Sequence, residues 1–320
     1  MPLAVAVGTP PVVVPPTSPP IDPRPIYDPG TIRATWTDPD DIVYELTGPH
    51  DVHGWLTTQE ISGWGATPIS HVTDPLARGG VEMRTVRVEP RRITWPLNIY
   101  GETNVQWRDR YRRLMKAFTK TTTRRQPGTL TVWYADGQAR SIQAWYEDGF
   151  GGEGGQNWLF ANPVLTLFCP DGYWRDVVQT KVRRDYAATT GKPFLKPYLS
   201  VSSSRLLGDT TITNPGDVEG WPLWTIVGPA SSVVATNRTT GQSFTLTHEL
   251  DAGEVVTIDT TSSRPSVRGP EGQNLVGALD WPASELWPLV EGVNDVTFQM
   301  VGAAPGAYIE LVYHPRYESV

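Results

Sequence analysis

The chain has 320 residues and contains 30 glycines, 30 prolines and 13 tryptophans, with 10% aromatic and 19% charged residues. This length is enough for two hydrophobic cores, and the many turn-forming and aromatic residues favour short strands over long helices. One cysteine excludes an intrachain disulfide framework, and no apolar run reaches the roughly 18 residues that a membrane span needs.

The formal net charge of −7 is unevenly distributed along the chain. Residues 1–77 carry a net −7, residues 78–125 carry +9, residues 126–198 are balanced, and residues 199–320 carry −9. One basic block therefore lies between acidic segments. We expect such a block to meet an acidic partner, an acidic segment of its own chain, or an acidic segment of another copy.

Residues 1–30 contain ten prolines, which remove backbone donors and exclude this segment from the interior of a sheet. The segment lacks a basic n-region and does not resemble a secretory signal. The composition predicts an extended, Pro-rich arm. Two interpretations remain open: a disordered tail, or an arm that lies against a neighbouring subunit.

Residues 31–100 have the pattern of strands, among them "IVYEL" and "VEMRTVRVEP", in which apolar and polar residues alternate. A single helix follows, "TNVQWRDRYRRLMKAFTK", whose start fits a capping box made by Thr103 and Gln106. The segment "TTTRRQPG" is expected to end this helix, because β-branched residues and proline disfavour it. The apolar stripe predicted to face the core is Trp107, Tyr111, Leu114 and Phe118.

The remaining faces of this helix are basic. The residues expected to form an interaction surface are Arg108, Arg112, Arg113 and Lys116, with Arg124 and Arg125 just beyond. Such a cluster suits nucleic-acid phosphates, but a sequence-reading helix also needs base-directed side chains and a second module, which are not evident. The pattern therefore favours a basic surface that is either solvated or turned toward another subunit or tail partner.

The rest of the chain is strand-like. "TLTVWYA" and "RSIQAWYE" predict a hairpin around Asp136-Gly137, and a second hairpin is predicted around Thr240-Gly241. The polar, Pro-punctuated "TTGKPFLKPY" indicates a domain boundary. The predicted fold class is mainly β: a β domain with one helix over residues 31–198, followed by a β-sandwich over residues 199–320.

The sequence offers few groups for catalysis. Asp217 and Glu219, near Trp221 and Trp224, have the residue types of a glycosidase site, but "NPGD" is a turn sequence, which favours a turn with two packing tryptophans. The histidines His50, His53 and His71 do not complete a zinc site, and Cys169 is expected to pack as a small apolar residue. We therefore expect no catalytic residue, metal or cofactor.

Four stretches resemble the distal tail protein, or minor tail protein, of long-tailed bacteriophages (siphophages), and the resemblance points to phages of actinobacteria. Three lie in the first domain: "RRITWPLNIYGETNVQWRDRYRRLMKAF", "TLTVWYADGQARSIQAWYEDG" and "LTLFCPDGYWRD". The fourth is "TITNPGDVEGWPLWTIVGP", which resembles the entry hairpin of the family's second domain, together with "WPLVEGVNDVTFQM".

The resemblance implies a tail-tube-like ring domain followed by a galectin-like β-sandwich that projects outward. It implies a hexameric structural component of the virion tail tip, assembled in the host cytoplasm, with the tail tube protein, the tape-measure protein and the baseplate hub as partners. DNA would pass through the ring without specific binding, and no membrane would be involved. Two other functions stay open: a carbohydrate-binding protein for adhesion to the host surface, and a virion-associated glycosidase.

Overall fold

The computed structural model describes residues 32–47, 54–58, 60–152, 159–186, 206–261 and 264–320. The Pro-rich arm of residues 1–30 and the predicted domain boundary near residue 198 lie outside the described residues, as do His50 and His53. No helix among the described residues is long and apolar enough to cross a membrane.

The described residues before residue 177 form one helix and a series of strands. Their bounds are Arg33–Thr37 (β1), Val43–Glu45 (β2), Trp55–Thr57 (β3), Ile69–Pro75 (β4), Val81–Val88 (β5), Arg91–Tyr100 (β6), Asn104–Arg124 (α1), Gly128–Trp133 (β7), Ala139–Asp148 (β8), Phe160–Ala161 (β9), Val164–Cys169 (β10) and Trp174–Asp176 (β11). Their main sheet has the order β2-β1-β7-β8-β10-β6-β3, with β9 and β11 at its margins.

The core of this first domain lies between the sheet and the helix. Alternate residues of β6 and β10 point inward, as the pleat requires. Trp36, Trp95 and Trp174 are fully buried, and Phe118 of the helix is buried among them. The alternation seen in the sequence of this region thus corresponds to one face that packs on a helix and one face turned away from the core.

The second part is a sandwich of two antiparallel sheets. Its strands are Thr180–Asp185 (β12), Leu206–Asn214 (β13), Leu223–Val227 (β14), Ala230–Asn237 (β15), Gln242–Leu250 (β16), Val255–Asp259 (β17), Ser266–Arg268 (β18), Gly292–Val301 (β19) and Tyr308–Tyr313 (β20). The last strand, Arg316–Tyr317 (β21), belongs to the first sheet. A short 3₁₀ helix spans Val276–Ala278. The sheet orders are β12-β20-β14-β17-β18 and β13-β19-β15-β16.

Aromatic rings fill the space between these two sheets. Trp224 meets Trp287 edge-on at 4.8 Å between ring centroids and Phe244 at 5.2 Å, and all three are buried. Edge-to-face pairs of this kind stabilise a core beyond the area they bury. The mainly β fold with one helix and a C-terminal sandwich, predicted from the sequence, is confirmed.

Several local predictions are confirmed and two are wrong. The hairpins β7–β8 and β15–β16 form around the predicted turns. The stretch from Thr210 to Val227 is not a hairpin, because β13 pairs with β19 in one sheet whereas β14 pairs with β17 and β20 in the other. Its turn is the crossing between the two sheets of the sandwich.

The helix also ends later than predicted. It continues through Thr121, Thr122 and Thr123 to Arg124. Two of these threonines donate their hydroxyls to the preceding turn, Thr121 to the Phe118 carbonyl and Thr123 to the Lys120 carbonyl, a geometry that Thr adopts inside helices. The helix ends at Arg125, which has a left-handed φ of 54°.

Two strand pairings cross the domain limits of 31–198 and 199–320 that the sequence suggested. β12 lies before residue 198 but pairs along its whole length with β20 of the sandwich. β21, near the end of the chain, pairs with β11 of the first sheet. The predicted limit at residue 198 put the residues of β12 with the first domain, because the partner of a strand cannot be derived from local sequence. The two parts of the chain therefore exchange an edge strand each.

Candidate interaction surfaces

The start of α1 is fixed by its own side chains. The Thr103 hydroxyl accepts from the Gln106 backbone N–H at 3.2 Å, and the Gln106 side chain accepts from the Glu102 N–H at 2.7 Å. Both bonds satisfy backbone donors that a helix start leaves without intrahelical partners. The rotational setting of the helix, and so the direction of each side chain, follows from this cap and from the buried stripe.

The predicted apolar stripe lies toward the sheet, with unequal burial. Leu114 and Phe118 are fully buried, whereas Trp107 and Tyr111 are half-buried against the edge of the core. Phe118 stacks on Trp36 at 4.6 Å between ring centroids, and the Trp36 indole N–H donates to the Ala117 carbonyl. The helix is thereby held to β1 by one stacked pair and one buried hydrogen bond.

Two of the predicted basic residues, Arg113 and Arg124, contact groups of their own chain. Arg124 forms an ion pair with Asp40 at 3.0 Å, and the Lys120 ammonium binds both Asp38 and Asp40. The hydrogen bonds from Lys120 and Arg124 hold the pKa of Asp40 below its usual value. Arg113 lies over the rings of Tyr44 and Trp55. Part of the basic block thus meets the acidic N-terminal segment of its own chain.

The remaining cations form an exposed row that we call the basic stripe, made of Arg108, Arg112 and Lys116. Their spacing of four residues places them on one face of the helix. No carboxylate of another described residue lies within ion-pair distance of any of the three. Arg125 is exposed at the helix end. The basic stripe is therefore the part of the predicted interaction surface that is left for a partner.

A second surface is the hairpin of β4 and β5, which pair only with each other. Cross-strand neighbours share a face, and one face collects five large apolar residues, each between 46% and 61% exposed. We call this the hairpin's apolar face; it consists of Ile69, Val81, Met83, Val86 and Val88. The alternation in "VEMRTVRVEP" predicts a strand, but strict alternation would put Val81 and Met83 on the face opposite Val86 and Val88. An irregularity in the strand register brings all four to one face.

A third surface, which the sequence did not reveal, is at the far margin of the first sheet. Phe160 pairs with Tyr100, the last residue of β6, and Val164 pairs with Pro96. Phe160 is 60% exposed, Val164 50% and Leu159 44%. We call these three residues the edge patch. A small loop-and-strand segment carries them, so no periodic signal marked them in the sequence.

The junction between the two parts of the chain is held by Arg91, which is 1% exposed. Its guanidinium makes five hydrogen bonds, none of them to a carboxylate of a described residue. The acceptors are the carbonyls of Gly63, Gly65, Gly172 and Glu318 and the hydroxyl of Thr67. Five donors thus meet five acceptors from three separate segments, and the C-terminal residues are fixed to the first domain.

A cleft of about 530 Å³ opens beside this junction. Asp171 lies in its wall and accepts from Arg316 and Arg175, each at 2.9 Å. Burial alone would raise the pKa of Asp171, but the two guanidinium groups outweigh it and hold the pKa below its usual value. Half-buried Trp221 lines the same cleft. The cleft has one aromatic face and a carboxylate that two arginines neutralise.

The residues considered for catalysis have structural contacts. The Asp217 carboxylate accepts from the Glu318 backbone N–H at 3.0 Å, and the Glu219 carbonyl accepts from Arg316. Trp224 is in the core, so it cannot face a sugar. Burial raises the pKa of the Cys169 thiol to about 12, which leaves it protonated and unreactive at neutral pH.

His71 lies on the exposed hairpin, and within the described ranges no cluster of three or more histidine, cysteine or acidic side chains is arranged to hold a metal ion.

Comparison with known proteins gives one family match and several similar structures. Residues 215–317 match the C-terminal domain of the siphovirus-type tail component. None of the curated proteins compared with the chain matches it in sequence. The matched segment covers β14 to β21 and so includes most of the sandwich.

Solved structures match over nearly the whole chain. The Dit protein of phage SPP1, described as a hub of the adsorption apparatus in phages that infect Gram-positive bacteria, is 15% identical, with a TM-score of 0.62 over 89% of this chain and 99% of that one. A chain of the phage P2 baseplate in its activated, calcium-bound conformation is 14% identical, with a TM-score of 0.53 over 91% of this chain and 100% of that one. A chain of the strontium-bound p2 baseplate is 15% identical, with a TM-score of 0.52 over 91% of this chain and 100% of that one.

The solved structures show that the chain has the fold of these tail and baseplate proteins, and residues 215–317 are similar in sequence to the C-terminal domain of the siphovirus-type tail component.

Proposed function

We propose that this chain, with its distal tail protein fold and its tail-component sandwich, is the structural ring protein at the tail tip of a siphophage. Six copies form the ring, the first domains surround a channel for DNA, and the sandwiches project outward. The ring joins the tail tube protein to the baseplate hub, next to the tape-measure protein. The bacterial host, which the sequence resemblance takes to be an actinobacterium, stays a prediction.

The observation that carries this proposal is the extent of the structural likeness. A TM-score of 0.62 over 89% of this chain and 99% of the SPP1 Dit chain includes both the helix-bearing domain and the sandwich. Two domains in the same order and at the same scale are harder to obtain by chance than one common sandwich. The family match of residues 215–317 supports the same assignment from sequence alone.

The basic stripe supports assembly through charge. Arg108, Arg112 and Lys116 are exposed, while residues 199–320 carry a net −9. A ring needs heterologous contacts, in which one patch meets a different patch of the next copy. Opposite charge steers such patches together and fixes their register. We expect the stripe to face an acidic surface of a neighbour or tail partner and to face away from the channel, where it would retain DNA.

A non-enzymatic role is supported by the contacts of the candidate acids. Asp217 binds the backbone of the C-terminal segment, so it is engaged in holding the fold. Carbohydrate binding is favoured by one observation, the cleft that Trp221 lines. Against it, Trp224 and Trp287 are buried in the sandwich core rather than aligned on a face. A glycosidase has no supporting geometry beyond the residue types.

The proposal is tested by assembly of the purified protein with and without the basic stripe. The double variant Arg108→Glu and Arg112→Glu is expected to lower the assembled fraction in sedimentation experiments while the melting profile stays that of the wild type, since exposed charges contribute little to folding. The matched control is Arg92→Glu, which removes an exposed arginine on the first sheet that pairs with Glu147.

A gel-shift titration with duplex DNA separates the nucleic-acid interpretation. Tight binding with a steep salt dependence, lost in the double variant while assembly is unchanged, would contradict the proposed role of the helix. Wild-type protein that stays monomeric at all concentrations would contradict the ring itself.

A further inference from the structure

The hairpin's apolar face needs a cover that its own chain does not provide among the described residues. β4 and β5 form a separate two-stranded sheet, and every residue of β5 is exposed. An isolated two-stranded hairpin is at best marginally stable in water. Its five half-exposed apolar side chains present roughly 400 Å² of apolar surface, the size at which a patch on a soluble protein indicates an interaction site.

The edge patch lies at the other end of the same strand. The hairpin joins the start of β6, where the Glu89 N–H closes its base on the Pro68 carbonyl. Phe160 pairs with the last residue of β6 and Val164 with its middle. β6 has ten residues, which span about 30 Å in an extended strand. The hairpin's apolar face thus adjoins the start of β6, and the edge patch lies along its second half.

We infer that, in the assembled ring, the hairpin's apolar face of each copy packs on the edge patch of the next copy. The inference rests on the proposed ring and names the contact that closes it. Two distinct patches at opposite ends of a strand make a head-to-tail contact, which repeats around a ring and leaves no copy with an uncovered patch. Contact between two hairpins would instead be isologous and stop at a dimer.

The sizes of the two surfaces agree with such a contact. The edge patch adds three large apolar residues to the five of the hairpin. In one contact the hairpin's apolar face comes from one copy and the edge patch from the next, so each apolar surface is at most about half of the roughly 800 Å² per partner of a standard protein interface. The polar residues around each patch supply the rest. The apolar residues then form the centre of the contact, and polar residues form its rim.

Cysteine cross-linking tests the contact, because the single native thiol, Cys169, is buried and unreactive. The full chain carrying Met83→Cys and Phe160→Cys is expected to shift under mild oxidation from the monomer band to a ladder that ends at the closed ring. A disulfide needs Cα atoms within about 7 Å, so the ladder reports direct contact. The matched control pairs Phe160→Cys with Thr85→Cys, which lies on the other face of the hairpin opposite Val72 and should give no ladder.

Co-expression of the two single variants distinguishes the alternatives. Met83→Cys chains mixed with Phe160→Cys chains should give dimers, and Met83→Cys chains alone should give none. Dimers of Met83→Cys alone, or an equal ladder from the Thr85→Cys control, would overturn the inferred contact.

Sedimentation separates this inference from the proposed function. A hexamer that gives no ladder contradicts only the contact, whereas a monomer that gives no ladder contradicts the contact and the ring together. As a second readout, Met83→Glu should lower the association constant by roughly a hundredfold, because it brings an unpaired carboxylate into an apolar contact. An unchanged constant would contradict the contact.

Discussion

Replacing Arg91 by methionine is expected to destabilise the protein more than any other single change at the junction. Methionine fills much of the same volume but donates no hydrogen bond. The five acceptors that Arg91 satisfies would lose their partner, among them the carbonyls of Gly63, Gly172 and Glu318. The stabilisation from these hydrogen bonds would be lost in full, because Arg91 is 1% exposed and water cannot reach the acceptors unless the site opens.

The magnitude follows from two opposing effects. Each buried acceptor left without a donor costs about 1–3 kcal/mol, while removal of a buried charge recovers part of its desolvation cost. The net expectation for Arg91→Met is a loss of about 3–5 kcal/mol, the range found when one member of a buried charged network is removed. Arg91→Lys should cost less, because an ammonium offers three donors to the same five acceptors.

Urea unfolding followed by tryptophan fluorescence measures this loss, and the matched control is Arg92→Met at the next position. Arg92 is exposed and pairs with Glu147 on the outer face of the sheet, so its replacement should leave the unfolding midpoint nearly unchanged. An Arg91→Met variant as stable as the Arg92→Met variant would refute the idea that the carbonyl cage around Arg91 holds the junction together.

Three further predictions concern the core, the cleft and the turn. Phe118→Ala should lower the free energy of unfolding by about 3–5 kcal/mol, whereas Val105→Ala, on the exposed side of the same helix, should have little effect; equal melting temperatures would contradict the stacking on β1. The lowered pKa of Asp171 means that its stabilisation is present above its unfolded pKa of about 4 and is lost as the pH falls through the lower folded value; Asp171→Asn should flatten that part of the stability–pH curve, and an unchanged curve would count against the arginine pair. Neither the wild-type protein nor the Asp217→Asn variant is expected to cleave glycans. Glycan cleavage by the wild type that is lost in the variant would support the glycosidase interpretation.

Local signals explain what the sequence predicted well. The start of α1 follows from Thr103 and Gln106, and the hairpin around Thr240-Gly241 follows from its turn residues. Both depend on neighbours within a few residues. The extension of the helix through Thr121 was missed because hydroxyl bonds to the preceding turn, which offset the low propensity of threonine, are not visible as a pattern.

Long-range partners explain what the sequence could not provide. Nothing in the local sequence of β12 indicates its pairing with β20 across the predicted boundary. The alternation of β5 indicates a strand, but it gives no sign that every residue of this strand is exposed. Arg91 looked like one more cation of a basic block, because its five acceptors come from segments that only the fold brings together.

The most direct test of the central claim is cryo-electron microscopy of the virion tail tip. The account predicts six copies of this chain in a single ring between the tail tube and the hub, with the first domains around an open channel and the sandwiches on the outside. The hairpin of each copy should lie on its neighbour. A tail tip without this chain, or with the chain only as separate copies on peripheral fibres, would contradict the account.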